Sequence, residues 1–329
     1  MTQIAPLLPY LGHPLERTDF PFLGDRYEGK VRDVYSSRDG KRFLIATDRQ
    51  SAFDISWCTI PLKGQVLNQL STWWFTQVAD VMPHHVLASP DPNVTVAKSL
   101  AMLKVEIVVR GYLTGSTGTS AWVNYAKGVR NYCGNILPEG MVKNQPFDAA
   151  IITPTTKDEH DELIDPAGII ERGFATKAQW QEISEKALAL FAKGQRIAAS
   201  RGLILVDTKY EMGLDSEGKL TLGDEVHTPD SSRYWIQATY AERFEKAEEP
   251  ESLDKEFFRL WLREQGFDPA AGSAQVPTVK AKITDEARLS LSQKYIALYE
   301  RMTGEKFVLP AEVDPIARME RNLKKYLGQ

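Results

Sequence analysis

Cysteine is scarce: Cys58 and Cys133 are the only two thiols in 329 residues. Two thiols cannot build a disulfide framework, and their scarcity fits a reducing compartment in which both serve structure. Basic charge is not in excess either, with 40 Lys and Arg against 44 Asp and Glu and a formal net charge of -4. No run of Lys and Arg gathers on one segment, so a nucleic-acid partner is not expected. Also missing is any uninterrupted apolar run of the roughly 18 residues that a membrane helix requires. The opening stretch, residues 1–12, lacks a basic start and carries Pro6 and Pro9, so it is not expected to be a signal peptide and the expected location is cytoplasmic. There is no internal repeat, no Walker A pattern, no dinucleotide fingerprint and no nucleophile-elbow hydrolase signature.

What remains is ordinary globular composition, 43% hydrophobic and 26% charged, in a chain long enough for two lobes. Residues 30–36 and 42–47 read as strands joined at Asp39-Gly40. Val66, Leu67, Leu70, Trp73, Trp74 and Val78 recur at helical spacing before Pro83. Val105 to Val109 forms a short strand. It runs into a segment, 111–120, in which Gly111, Gly115 and Gly118 interleave with Ser and Thr, and a helix is expected to begin near Ala121. Residues 135–171 show no period and suggest a long surface loop or a linker. Thr176 is a plausible N-cap for a helix whose inner face carries Trp180, Ile183, Ala187, Leu188, Phe191 and Ile197 and which ends near Gly202. Helices around 257–262, 289–302 and the C-terminus complete an α+β pattern.

The stretch Leu203 to Gly213 puts Asp207, Lys209 and Glu211 on one strand face. A turn centred on Glu217-Gly218 and a strand from Leu220 to Asp224 would set Glu211 directly opposite Asp224. Facing carboxylates repel unless a cation neutralises them, and Mg²⁺ takes one or two carboxylates together with phosphate oxygens and water. Lys209 on the same face is the alternative neutraliser, which would leave an exposed charged hairpin without a metal. Beyond it, residues 228–233 form a turn in which Asp230 or Ser231 caps a helix, or in which Arg233 forks onto a phosphate.

Two more segments suit anions. The glycines and hydroxyls of 111–120 could present backbone N–H groups to one, and Gly29-Lys30-Val31-Arg32 places glycine beside basic side chains at a strand start; ordinary loops are the competing explanation for both. His84-His85 is set aside as a metal site, because strand neighbours point to opposite faces and no nearby Cys completes a ligand set; both are expected at the surface or in a turn.

Five ordered blocks carry a resemblance: Gly29–Tyr35 (GKVRDVY), Ala46–Asp54 (ATDRQSAFD), Val105–Ser116 (VEIVVRGYLTGS), Val206–Gly213 (VDTKYEMG) and Gly223–Trp235 (GDEVHTPDSSRYW). Together they resemble the SAICAR synthetase family, the phosphoribosylaminoimidazole-succinocarboxamide synthases, in its longer yeast-like form. Lys104 replaces a frequent proline of the family and Met212 a frequent phenylalanine; neither is a presumed ligand group. The resemblance implies a kinase-like, β-rich N-terminal lobe over residues 1–100 and a larger ATP-grasp-like lobe over 101–329, with an antiparallel sheet, C-terminal helices and ATP in the cleft between the lobes.

It further implies an ATP- and Mg²⁺-dependent ligation in de novo purine biosynthesis. L-Aspartate joins the carboxylate of 5-amino-1-(5-phosphoribosyl)imidazole-4-carboxylate through an acyl phosphate, releasing ADP and phosphate. Carried over block by block, Gly29, Lys30, Arg32 and Glu106 would contact ATP, and Glu211 with Asp224 would hold Mg²⁺. Arg110, Ser116, Asp161, Asp230 and Arg233 would bind the imidazole nucleotide and its co-substrate, with Lys157, Lys209 and Asp207 at the reacting groups. The partners are small molecules, and the chain is expected to be a monomer. The rival readings are another carboxylate–amine ligase or small-molecule kinase, or a nucleotide-binding module without turnover.

Overall fold

The computed structural model describes residues 4–157 and 161–329. Two compact units emerge: the first comprises 1–73, 86–99 and 253–329, the second 74–85 and 100–252.

In the first unit, β1 (Asp25–Glu28), β2 (Arg32–Ser36) and β3 (Lys41–Ala46) form a meander. It is followed by the short pair β4 (Arg49–Ala52) and β5 (Ile55–Thr59), then by α1 (Lys63–Val78), inside which the division falls. β6 (Val86–Asp91) and β7 (Val94–Lys98) complete a five-stranded sheet ordered β1-β2-β3-β7-β6. Alternation along β2 turns Asp33 and Tyr35 inward. A buried carboxylate must be paired, and Asp33 accepts from Thr18 N at 2.7 Å, Thr18 Oγ1 at 2.8 Å and Arg49 at 3.0 Å.

The C-terminal helices α6 (Glu256–Glu264), α7 (Val276–Lys280), α8 (Asp285–Thr303) and α9 (Pro315–Tyr326) belong to this same unit. The expected division at residue 100 had put them in the second lobe. Packing is the reason: Met319 and Leu323 of α9 enter the core made by Leu15, Phe20, Tyr35, Phe43, Ile45 and Val96, and Arg318 pairs with buried Asp91.

The second unit contains β8 (Ala101–Met102), β9 (Val105–Tyr112), α2 (Ala121–Ala126), β10 (Asn131–Tyr132), β11 (Asn135–Ile136), β12 (Pro146–Ile152) and β13 (Thr155–Thr156). After these come α3 (Pro166–Glu171), α4 (Lys177–Ser200), β14 (Leu203–Leu214), β15 (Leu220–Gly223), β16 (Ser232–Ile236) and α5 (Gln237–Glu245). Its seven-stranded antiparallel sheet runs β12-β9-β14-β15, with β13 on β9 and both β16 and β8 on β14. Helix α4 starts at the expected Thr176, which forms a full capping box with Gln179. It buries Trp180, Ile183, Ala187 and Phe191, while Leu188 is exposed.

The segment expected as a loop or linker, 135–171, instead supplies β11, β12, β13 and α3. A register shift between Pro146 and Ile151 and strands of two residues erase the sequence period that a longer strand would show. Likewise no helix starts at Asp230 or Ser231, because β16 begins at Ser232 and pairs with β14. His85, expected at the surface, is buried and packs on Phe75. Among the described residues no helix is long and apolar enough to cross a membrane.

Candidate active site

The second unit gathers most of the expected site on one sheet face. Antiparallel register sets Arg110 of β9 beside Asp207 of β14, and Val108 beside Lys209; two residues further, Glu106 and Glu211 come together on that face. β13 adds Thr155 opposite Glu106, so three neighbouring strands contribute every second residue.

Two clusters result. In the first, Lys209 Nζ donates to Glu106 Oε1 at 2.6 Å and to Glu211 Oε1 at 3.0 Å, while Lys157 Nζ donates to Glu211 Oε2. Glu106 and Glu211 are buried, and burial favours a neutral carboxyl. At Glu211 the charges of Lys209 and Lys157 outweigh that effect and hold its carboxyl down to about 2. Glu106 moves the other way, pushed up by burial and, against the pull of Lys209, by the negative charges of Glu211 and Asp161. Burial lowers the Lys209 ammonium, but Glu211, Glu106 and Asp224 together raise it above the usual lysine range. Lys209 is therefore a fixed cation.

Asp224 acts on this cluster through Lys209, not by facing Glu211. The expected register was wrong by one residue: Glu211 lies opposite Gly223, and Leu214 opposite Leu220. The turn is longer than two residues because Asp215 closes a loop through Lys219, its Oδ1 accepting from the backbone N of Glu217 at 3.0 Å and Lys219 at 2.9 Å. A one-residue slip reverses every facing side chain. Asp224 then leaves the strand in a left-handed conformation, φ 52°.

The second cluster centres on Asp207, whose Oδ2 accepts from Arg110 Nη1 at 3.2 Å and Arg233 Nη1 at 2.5 Å. Arg110 also donates from Nε to Thr153 Oγ1 at 2.8 Å and from Nη2 to the Thr119 carbonyl at 3.1 Å. With that many bonds made inside the protein, Arg110 acts as a brace. The glycine-rich loop passes close by. Gly115 has φ +105°, and a Cβ there would sit 3.1 Å from Arg233 Nη2 and 2.5 Å from Ser120 Cβ, so this position needs glycine. Ser116 follows it, half-buried, and Asp230 sits half-buried in the turn whose backbone is bonded to Thr228.

Gly29, Lys30 and Arg32 lie in the first unit, at the tip of the β1–β2 hairpin. Arg49 supports that tip, donating to the carbonyls of Gly29 at 2.9 Å and Lys30 at 3.2 Å. The exposed Lys30 side chain pairs with Asp54 at 2.5 Å.

Sequence reasoning missed Thr153 and Thr155, although their alternation with Lys157 was visible. It also missed His227, which gave no signal. That ring is fully buried, shares a hydrogen bond of 2.5 Å with Tyr210, and packs edge-on against Trp74 at 4.6 Å. Burial pushes its pKa down to about 3, so the ring is neutral at physiological pH. Burial also pushes the thiols of Cys58 and Cys133 up to about 11, in keeping with structural cysteines.

Among the described residues no three His, Cys, Asp or Glu side chains converge as a ready-made metal cage. The cluster nonetheless suits a hard cation: its donors are carboxylate oxygens, and lysine ammoniums already stand where positive charge is required.

A family model described as SAICAR synthetase matches residues 25–273, which takes in all five sequence blocks. The chain belongs to the SAICAR synthetase family. A phosphoribosylaminoimidazole-succinocarboxamide synthase of Legionella pneumophila is 48% identical over 316 residues, covering 95% of this chain and 99% of that protein. The chloroplastic synthase of Arabidopsis thaliana is 50% identical over 310 residues, covering 94% of this chain and 74% of that protein. The SAICAR synthase of Saccharomyces cerevisiae, solved in complex with SAICAR, superposes with a TM-score of 0.76 at 31% identity, covering 90% of this chain and all of that one. Like other SAICAR synthetases, the chain is an ATP-dependent carbon–nitrogen ligase that forms SAICAR in purine biosynthesis.

Proposed function

We propose that the two clusters divide the ligation between them. The carboxylate–lysine cluster handles the ATP phosphates, and the Asp207 cluster handles the imidazole nucleotide. The observation that carries this reading is Lys209, a half-buried cation shared by the buried carboxylates of Glu106 and Glu211 on the sheet face that also holds Arg110, Asp207 and Arg233.

A carboxylate has no good leaving group, so the nucleotide's carboxylate oxygen first takes the γ-phosphoryl group of ATP and ADP departs. The amine of L-aspartate then attacks the acyl carbon, the C–N bond forms, and phosphate leaves as the amine loses a proton. Such steps depend on positioning and on neutralising charge at the transferring group. Lys209, held by two carboxylates, supplies fixed positive charge for it, and Lys157 adds a second ammonium beside the cluster. Gly29, Lys30 and Arg32 bind ATP phosphates through the hairpin tip, and Glu106 lies near the ribose or adenine side of ATP and orients Lys209. Glu211 and Asp224 would hold Mg²⁺, which when bound adds two charges against the phosphoryl oxygens. Asp207 aims Arg233 at the nucleotide's phosphate, braced by Arg110, with Ser116 and Asp230 alongside, while Asp161 faces the aspartate co-substrate. We take the chain to be a monomer, following its likeness to the longer yeast-like form, which sedimentation velocity tests, and to act in the cytoplasm, where its two free thiols stay reduced.

The experiment is steady-state ADP release with ATP, L-aspartate and the imidazole nucleotide at varied Mg²⁺. Glu211→Gln should cut turnover by at least about a hundredfold and raise the Mg²⁺ requirement. Turnover within twofold of the parent at every Mg²⁺ concentration would sink the assignment.

A further inference from the structure

We propose that Lys157 is a displaceable occupant of the carboxylate cluster: its ammonium stands on Glu211 in place of a divalent cation and leaves when that cation enters. This rests on the reading of Glu211 as a metal ligand and extends it to control of the site. Both oxygens of Glu211 are engaged by lysines, Oε1 by Lys209 at 3.0 Å and Oε2 by Lys157. The two lysines are not equivalent. Lys209 sits within β14, bridges Glu106 and Glu211, and feels Asp224 as well. Lys157 lies just beyond β13; its side chain is about as exposed as that of Lys209, 39% against 32%, so partners and not exposure separate the two, and Glu211 is its one side-chain partner among the described residues.

An ammonium reaching one carboxylate from beyond a strand end is a weaker claimant on it than one held within a strand between two carboxylates. A hard divalent ion brings twice the charge to the same oxygen. Once displaced, the ammonium swings on a stem still anchored by its backbone N–H to the Lys104 carbonyl at 3.1 Å, and stays beside the cluster to meet substrate oxygens. Metal entry and lysine release are then one linked equilibrium: Lys157 weakens metal binding, and the metal frees Lys157.

The test is Mn²⁺ binding to the full chain, alone and with saturating ADP, read from the electron paramagnetic resonance signal of free Mn²⁺. Lys157→Met should tighten binding about fivefold, whereas Glu211→Gln should weaken it about tenfold or more. In parallel, acylation by acetic anhydride followed by mass spectrometry should show Lys157 reacting about three times faster with Mn²⁺, with exposed Lys127 unchanged. Unchanged or weaker binding by Lys157→Met beside a clear loss in Glu211→Gln overturns the displacement and leaves Glu211 as a ligand. Unchanged binding by Glu211→Gln overturns both, and a Lys157 labelling rate that Mn²⁺ leaves unchanged or slows overturns the displacement.

Discussion

Asp207→Asn tests the arginine clamp. Asp207 is 4% exposed and Arg110 5%, and one carboxylate oxygen serves both Arg110 and Arg233. The substitution keeps the shape but removes the charge that two guanidiniums share. Breaking a buried ion pair by altering one partner costs about 3–5 kcal/mol, because an uncompensated charge is left behind. The asparagine carbonyl can still accept one hydrogen bond, which sets the expectation at the lower end, about 3 kcal/mol. At about 2–4 °C per kcal/mol for a unit of this size, the midpoint should fall by about 6–12 °C. Scanning calorimetry measures it, with Arg233→Met and the double variant closing a cycle whose coupling should exceed about 1.5 kcal/mol. Kinetics should show the KM for the imidazole nucleotide rising more than kcat falls, since Arg233 loses its aim. A midpoint within 2 °C of the parent, or a coupling near zero, would refute the clamp.

Gly194→Ala weighs two opposed effects. A helix-interior alanine gains about 1 kcal/mol, yet its Cβ would lie 2.3 Å from His227 Cε1 and 2.7 Å from Leu205 Cδ2. Overpacking of about 1–3 kcal/mol should prevail, and a net gain in urea stability would contradict it. His227 sets a pH slope: held near 3 when folded and near 6.5 when unfolded, it contributes stability fully above pH 6.5 that is lost as pH falls toward 3. The loss from this group should be about 2 kcal/mol by pH 5, absent from His227→Gln, and urea titrations at each pH read it. Met319→Ala, at a position with no exposure, should cost about 2–5 kcal/mol. Hydrogen exchange should then quicken in β2, β3 and β7; protection unchanged there would show that α9 does not close that core.

What could be read in advance was whatever repeats at short range. The period-2 charges of Asp207, Lys209 and Glu211 announced a polar strand face, and Thr176 announced a helix start. Hairpin register was not legible because it depended on loop length, and that was fixed by the Asp215 side chain capturing two backbone N–H groups. The division into units was hidden because docking of α9 is a contact between chain ends. His227 was hidden because its burial is created by a glycine on a helix more than thirty residues earlier in the sequence. Glu211, one partner of Lys209, is two residues along the same strand, but the other lies on β9, so only folding could reveal that the ammonium also binds Glu106.

Threading the first unit through both ends of the chain has a price during synthesis. Its sheet leaves the ribosome early, yet Met319 and Leu323 are made only after the whole second unit. The second unit, drawn from 74–85 and 100–252, is fully translated while that sheet still lacks its covering helix. A nascent chain stalled before residue 315 would therefore carry a fully translated second unit and, in the first, an apolar sheet surface in need of a chaperone. Removal of α9 should accordingly be felt first as aggregation in the cell.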